Sequence, residues 1–305
     1  MDGSFGPSVT SDAARILAVD DDRTILLLLA HKLEHAGHEV VAVRSGEEAL
    51  DTLRASADGF DAVLLDRTMP GMSGIDVVKQ LREEGVLAQV PVIMQTGADS
   101  PEEIREGVEA GVFYYLAKPI KDELLFPVLS VAVRDFRYRK WLIEKAGHAP
   151  MSGDANGGNT RIQTLEEIED LAPILARNFP NCEQAVCGLA ELLTNALEHG
   201  NLGIGYEEKT DLVAQGKWRE EILRRQKTGA FADKFISVDL VQENGGVSVA
   251  IEDQGQGFDW QNFLDIDPAR ASDNHGRGIA QTRALSFNSL KYNEPGNRVV
   301  VTTGS

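Results

Sequence analysis

The first half of the chain carries the pattern that most restricts its fold: five short, unbroken apolar runs separated by stretches of helical periodicity. The runs are residues 16–19, 40–43, 62–65, 92–94 and 112–116. A strand with one wet face alternates polar and apolar residues, whereas an unbroken β-branched run suits a parallel sheet covered on both faces. The expected architecture of this half is therefore α/β, a doubly wound five-stranded parallel sheet. Helix starts are marked by Ser45 with Glu48 and by Ser100-Pro101 with Glu103, which place a hydroxyl three residues before a carboxylate. Pro101 occupies a first helical position, where its missing N–H costs nothing, and Gly111 stops that helix. A last helix is expected from about Asp122 to about Ala146, with Pro127 placed to kink its early part.

Polar residues collect where these runs end. Asp20 and Asp21 follow the first run, Asp66 follows the third, Thr96 closes VIMQT and Lys118 closes LAKPI. In a right-handed doubly wound sheet the first and third strands are neighbours, and ligands bind outside the carboxyl ends. Three carboxylates in one small volume need a cation, and hard oxygen ligands with open positions suit Mg²⁺. A hydroxyl and an ammonium at adjacent strand ends are what a phosphoryl group on Asp66 would need for its oxygens. Lys118-Pro119 is a candidate cis peptide that would turn the ammonium inward. His31 and His35, four apart on the first helix, read as an exposed helix face, since no third ligand lies near them in sequence.

The segments VDDD, LLDRTMPGMSG, VIMQTG and YYLAKPI resemble the response-regulator receiver family, over residues 14–146. That resemblance implies a flavodoxin-like domain in which Asp66 accepts a phosphoryl group from an upstream histidine kinase. It further implies that Asp20, Asp21, Asp66 and the backbone carbonyl of Thr68 hold Mg²⁺, that Thr96 and Lys118 contact the phosphate, and that Tyr115 is the rotating aromatic of the switch.

Residues 147–160, GHAPMSGDANGGNT, have almost nothing to bury and read as a flexible linker. Beyond it the order changes. Helical patterns span 165–176 and 182–199, and an insert over 201–232 carries a polar helical stretch at 207–227. Strands at 235–241 and 247–251 flank the hairpin signal Asn244-Gly245-Gly246, and a helix at 279–286 and strands near Leu290 and Val299 follow. The expected form is an α/β sandwich with a mixed or antiparallel sheet.

Glu191, Asn195 and His199 recur every four residues opposite the apolar stripe Val186, Leu189, Leu193 and Leu197. Asp253 continues the apolar side of its strand, so its carboxylate points at a core and needs a partner such as the exocyclic amine of adenine. Gly255 and Gly257 would let backbone approach such a ring. Gly276 and Gly278, around Arg277, open the next helix, where backbone N–H groups and the guanidinium attract phosphates. ELLTNALEHGN, IEDQGQGF and HGRGI resemble the nucleotide boxes of the GHKL superfamily, shared by gyrase, heat-shock chaperones, histidine kinases and anti-sigma serine kinases, over residues 161–305. The resemblance implies ATP as ligand, Mg²⁺ on Asn195, adenine read by Asp253, and a lid over residues 258–275.

Within that superfamily, a histidine kinase would carry a phosphoacceptor hairpin before its ATP domain, and only His148, in a Gly-His-Ala-Pro context, lies in the intervening stretch. The compact order instead resembles the anti-sigma-factor serine kinases. By that resemblance Glu191, one turn before Asn195, is the general base toward a serine or threonine of an anti-sigma antagonist-like protein. Two other readings stand beside it: a sequestering module that binds a partner such as a sigma factor without catalysis, and an atypical histidine kinase. The insert, with Lys209, Lys217, Arg219, Arg224, Arg225 and Lys227 among acids and Trp218, is either a solvated helix or a docking helix.

A net charge of −18 sets the expected partners. Acids outnumber bases in both halves, which disfavours nucleic acid and anionic membrane. No apolar run is long enough to span a bilayer, and the expected setting is cytoplasmic, with Cys182 and Cys187 reduced and a homodimer as an open option.

Overall fold

The computed structural model describes residues 13–85, 90–97, 101–149, 159–243, 246–263, 279, 282 and 286–303. These residues form two units, the first ending at Tyr138 and the second beginning at Arg139. No helix among the described residues is long and apolar enough to cross a membrane.

The first unit runs β1 (Arg15–Val19), α1 (Arg23–His35), β2 (Glu39–Val43), α2 (Gly46–Ser56), β3 (Ala62–Asp66), α3 (Gly74–Glu83), β4 (Val92–Thr96), α4 (Pro101–Ala110), β5 (Tyr114–Ala117) and the first part, to Tyr138, of α5 (Asp122–His148). Its sheet is parallel throughout, in the order β2-β1-β3-β4-β5. Alternation is hidden inside the continuous apolar runs. Leu17, Val19, Val63, Leu65, Val92 and Met94 pack on one face with residues of α2 and α3, while Ile16, Ala18, Ala62, Leu64, Ile93 and Leu116 pack on the other with α1 and α5. Strands β3 and β4 are buried along their whole length, as their runs predict. Strand β2 is only half-covered because it is an edge. Helix α5 continues through Pro127 to His148, so the first two residues of the expected linker are helical. Its end belongs with the second unit: Leu142 and Ala146 are buried, Lys145 pairs with Asp170 at 2.6 Å, and Arg177 donates to the carbonyls of Ala146 and Gly147. The division of the chain therefore falls at Tyr138/Arg139, before the expected boundary.

Gln95 is the anomaly of this core. It is fully buried, shares a transverse row with Asp66 and the core residue Leu116, and neither amide atom has a partner among the described residues. Desolvating an unpaired amide costs more than an apolar group of similar size. Gln95→Leu is expected to raise stability by about 1–3 kcal/mol, seen as a higher urea midpoint at unchanged slope; a lower midpoint would mean that the amide is satisfied.

The second unit contains β6 (Asn159–Ile162), α6 (Leu165–Ala176), α7 (Cys182–Asn195), a π-helical turn (Ala196–Asn201), α8 (Tyr206–Ala214), α9 (Trp218–Gln226), β7 (Ile236–Glu243), β8 (Gly246–Glu252), β9 (Ser289–Tyr292) and β10 (Arg298–Thr303). Its sheet is antiparallel in the order β6-β7-β8-β10-β9. Strand β6 takes the last two residues of the expected linker, Asn159 and Thr160, by pairing with β7, a long-range contact that composition does not signal. The pairing of Glu243 with Gly246 fits the expected hairpin, while most of the expected helix at 279–286 lies outside the described residues. A capping box of Thr164 and Glu167 starts α6. Helices α6 and α7 bury Ile168, Ala172, Leu175, Val186, Leu189 and Leu193.

The insert is neither free nor merely solvated. Glu198, fully buried in the π-helical turn, accepts from Lys209 of α8, from Trp218 Nε1 of α9 at 2.7 Å, and lies 3.0 Å from His199 Nε2. Arg219 reaches buried Glu169 of α6, and Arg225 donates to the Leu202 carbonyl while pairing with Glu208 and Glu221.

Candidate functional site

In the first unit the strand ends bring together most of the residues expected to act. Carboxylate oxygens of Asp20, Asp21 and Asp66 lie within 4.8 Å of one another. Lys118 Nζ stands 2.8 Å from Asp20 and 2.9 Å from Asp66, and the Lys118-Pro119 peptide is cis. Asp20 is fully buried and Asp66 nearly so. Burial pushes the Asp66 carboxyl above its ordinary value even though Lys118 and the Thr68 N–H act to lower it. Burial would also lower the Lys118 ammonium, but Asp20 and Asp66 outweigh it and raise it. Three carboxylates, two of them buried and Asp21 half-buried, gather around one ammonium, a donor set that fits one divalent hard cation. Thr96 is buried at the end of β4, on the sheet face that also holds Tyr115.

In the second unit Glu191 and Asn195 face each other across one turn of α7, with Asn195 Nδ2 donating to Glu191 Oε1 at 3.1 Å. The four-residue spacing does not carry on to His199. The helix changes to π geometry at Ala196, and His199 bonds the Ile204 carbonyl through Nδ1 and Glu198 through Nε2, so it supports the insert. Asp253 follows β8, two residues beyond buried Ile251, and burial raises its carboxyl to about 6 although the Gly255 N–H bonds it at 2.8 Å. A Cβ on Gly200 would overlap that carboxylate, which makes Gly200 a residue of this site that helical spacing alone does not mark. Gly255 and Gly257 also answer to space within the chain itself. A Cβ on Gly255 would meet the Gly200 carbonyl at 2.5 Å and one on Gly257, where φ is +80°, would overlap the Pro295 carbonyl, so both permit close packing of the chain on itself.

Tyr292 is a second residue missed from sequence. The register Ile251↔Val299↔Tyr292 puts it on the Asp253 side of the sheet, where it stacks on Trp260 at 5.8 Å and meets Phe258 edge-on at 5.4 Å. Burial, Glu191 and Asp253 together raise its phenol. Gly276, Arg277 and Gly278, and all of the expected lid beyond Phe263, lie outside the described residues.

A family model described as the response regulator receiver domain matches residues 16–130. Residues 16–130 are a response regulator receiver domain. Over 120 residues, 39% of this chain and 49% of the relative, the chain is 41% identical to transcriptional regulatory protein CpxR of Escherichia coli. Over 118 residues, 38% of this chain and 16% of the relative, it is 36% identical to sensory/regulatory protein RpfC of Xanthomonas campestris. Chemotaxis response regulator CheY4 of Vibrio cholerae is similar at 35% identity, with 39% of this chain and 98% of that chain covered and a TM-score of 0.37. The chain spans half or less of the length of these curated relatives.

Receiver domains take a phosphoryl group from an upstream histidine kinase and bind Mg²⁺ through an acidic cluster, and the Asp20, Asp21 and Asp66 carboxylates of this receiver form such a cluster. The receiver also shows what positions that cluster. A Cβ on Gly74, at the start of α3, would overlap the Asp66 carbonyl. Arg67, next to Asp66, is nearly buried and binds α4 through the Glu103 carbonyl at 3.1 Å and Glu106 at 2.9 Å.

Proposed function

We propose that this chain is a response regulator phosphorylated on Asp66, whose second unit binds ATP with Mg²⁺ and phosphorylates a serine or threonine of an anti-sigma antagonist-like protein. In the receiver, Asp20, Asp21, Asp66 and the Thr68 carbonyl hold Mg²⁺, which offsets the charge of an incoming phosphoryl group. The Asp66 carboxylate attacks the phosphorus of the kinase's phosphohistidine, the P–N bond breaks as the kinase imidazole leaves, and Lys118 and Thr96 bind the transferred oxygens. Tyr115 is the aromatic that reports this event on the sheet face of Thr96.

For the second unit the carrying observation is Asp253. A carboxylate with a pKa near 6, seated against the backbone of Gly200, calls for a neutral donor partner, and an adenine amine supplies one. Asn195 offers an oxygen to Mg²⁺, and Glu191, bonded to Asn195, is placed to take the proton of an attacking hydroxyl. His199, given its bonds to Glu198 and Ile204, acts by fixing the turn beneath the nucleotide. Gly276, Arg277 and Gly278 complete the site through the phosphates.

Incubation with labelled ATP and candidate antagonist domains tests the reading. Asp253→Asn is expected to lose ATP binding, and Glu191→Gln to keep binding while transfer falls about 100-fold or more, in the range seen for loss of a general base. Binding of ATP and partner without transfer in the native chain would give the sequestering module instead. Label on a partner histidine would give the histidine kinase.

A further inference from the structure

Tyr115 lies in the core of the receiver, 9% exposed, among Met94, Ala110 and Val112. Its ring is directed at α4, and it meets that helix at Gly107. A Cβ built on Gly107 would overlap the Tyr115 hydroxyl, lie 2.5 Å from Cζ and 3.2 Å from Cε2. Gly107 is helical and buried, and its φ is not positive, so its lack of a side chain answers to space. In a helix interior glycine is less favourable than alanine by roughly 1 kcal/mol, so the helix by itself gains nothing from it.

Helix α4 is also held where it is. Glu106, the residue before Gly107, pairs with Arg67 at 2.9 Å and with Lys79 at 2.7 Å, and the Gly107 carbonyl accepts from Gly111 and Val112 at 3.0 and 2.9 Å. Arg67 directly follows Asp66 in the chain. A side chain at position 107 would therefore meet a tethered helix on one side and a tyrosine able to swing about χ1 on the other. The tyrosine is the softer of the two.

We infer that Gly107 is the positioning residue that admits Tyr115 to its inward rotamer, and that any β-carbon at position 107 drives Tyr115 outward and weakens the coupling between Asp66 phosphorylation and the α4–β5 surface. The second half of that statement rests on the proposed roles of Asp66 and Tyr115; the first half does not. Linkage fixes the sign: if phosphorylation favours the inward state, a substitution that disfavours that state lowers the phosphorylated fraction at a given donor concentration.

The test uses the full chain. Hydroxyl-radical footprinting without a phosphoryl donor should show a several-fold rise in Tyr115 oxidation in Gly107→Ala and Gly107→Ser, with Tyr138 unchanged as internal control. Labelling by acetyl phosphate should fall in Gly107→Ala. In the Tyr115→Ala background the Gly107→Ala change should leave labelling where Tyr115→Ala alone puts it, because the clashing group is gone. Tyr115→Phe should relieve the effect in part, since Cζ remains. Protection of Tyr115 in folded Gly107→Ala, or an equal labelling loss with and without Tyr115, overturns the inference. Should Gly107→Ala fail to fold, recovery of folding by added Tyr115→Ala supports it and no recovery overturns it. A failure of Asp66→Asn to abolish labelling would strike the phosphoacceptor reading alone and leave the footprinting result standing.

Discussion

Glu198→Gln is expected to destabilise the second unit by about 3–5 kcal/mol, the range for removing one partner of a buried charge pair. The carboxylate has no solvent contact and faces the Lys209 ammonium, the Trp218 indole N–H and His199 Nε2. An amide can accept from some of these but leaves a largely buried ammonium without a counter-charge. Burial alone would raise the Glu198 carboxyl; Lys209 and His199 outweigh it and hold it at about 2, against an ordinary 4.5. A depressed folded-state pKa means stability present above about pH 4.5 and lost as the pH falls toward 2, on the order of 3 kcal/mol for this shift. Urea unfolding followed by tryptophan fluorescence reads the effect, because Trp141, Trp218 and Trp260, all three tryptophans of the chain, belong to the second unit. Lys209→Met should cost a similar amount, and the pair Glu198→Leu with Lys209→Met less than the sum. Additive losses would show that the charges do not act as a pair.

The second large effect is expected at Asp66. Asp66→Asn should abolish acetyl-phosphate labelling, since on the proposed reading the Asp66 carboxylate, 2.9 Å from Lys118 and beside the Asp20 and Asp21 carboxylates, supplies the nucleophilic oxygen. The same variant should not destabilise the receiver. Burial raises the Asp66 carboxyl, so its ionised form is less favourable in the folded chain than in the unfolded one, and the neutral amide removes repulsion with Asp20 while Lys118 keeps its 2.8 Å contact to Asp20. Labelling and thermal unfolding measured on one sample separate the two effects. Full labelling of Asp66→Asn would remove Asp66 as the acceptor, and loss of labelling with loss of folding would contradict the charge argument.

Legibility from sequence differed between the two units for physical reasons. The strands of the receiver were readable because each is a local apolar run, and its polar cluster because a parallel sheet puts all strand ends on one edge. Asp20, Asp21, Asp66 and Lys118 could thus be grouped without any contact information. Gly107 could not, since its meaning depends on a tyrosine of the next strand. Gln95 could not either, as an amide inside an apolar run shows its lack of partners only once the core is packed.

In the second unit the repeat of Glu191, Asn195 and His199 assumed constant helix geometry, which fails at the π-helical turn. That turn aims Glu198 inward, where Lys209 and Trp218 from two later helices meet it, and an insert that reads as a polar surface helix becomes part of the packed unit. Tyr292 joined the candidate site through strand register alone.

By itself the sequence determined the receiver's parallel sheet, the carboxylate cluster around Asp66 and the helix-then-sheet order of the second unit. These follow from periodicity, capping and residue type, which act over a few neighbours. Tertiary structure alone decided where the chain divides, what the insert is tied to, which glycines make room for which side chains, and that Tyr115 points inward. Each of these is a meeting of groups far apart in the chain, settled by steric overlap and by the need of buried charges for partners, and neither leaves a local mark.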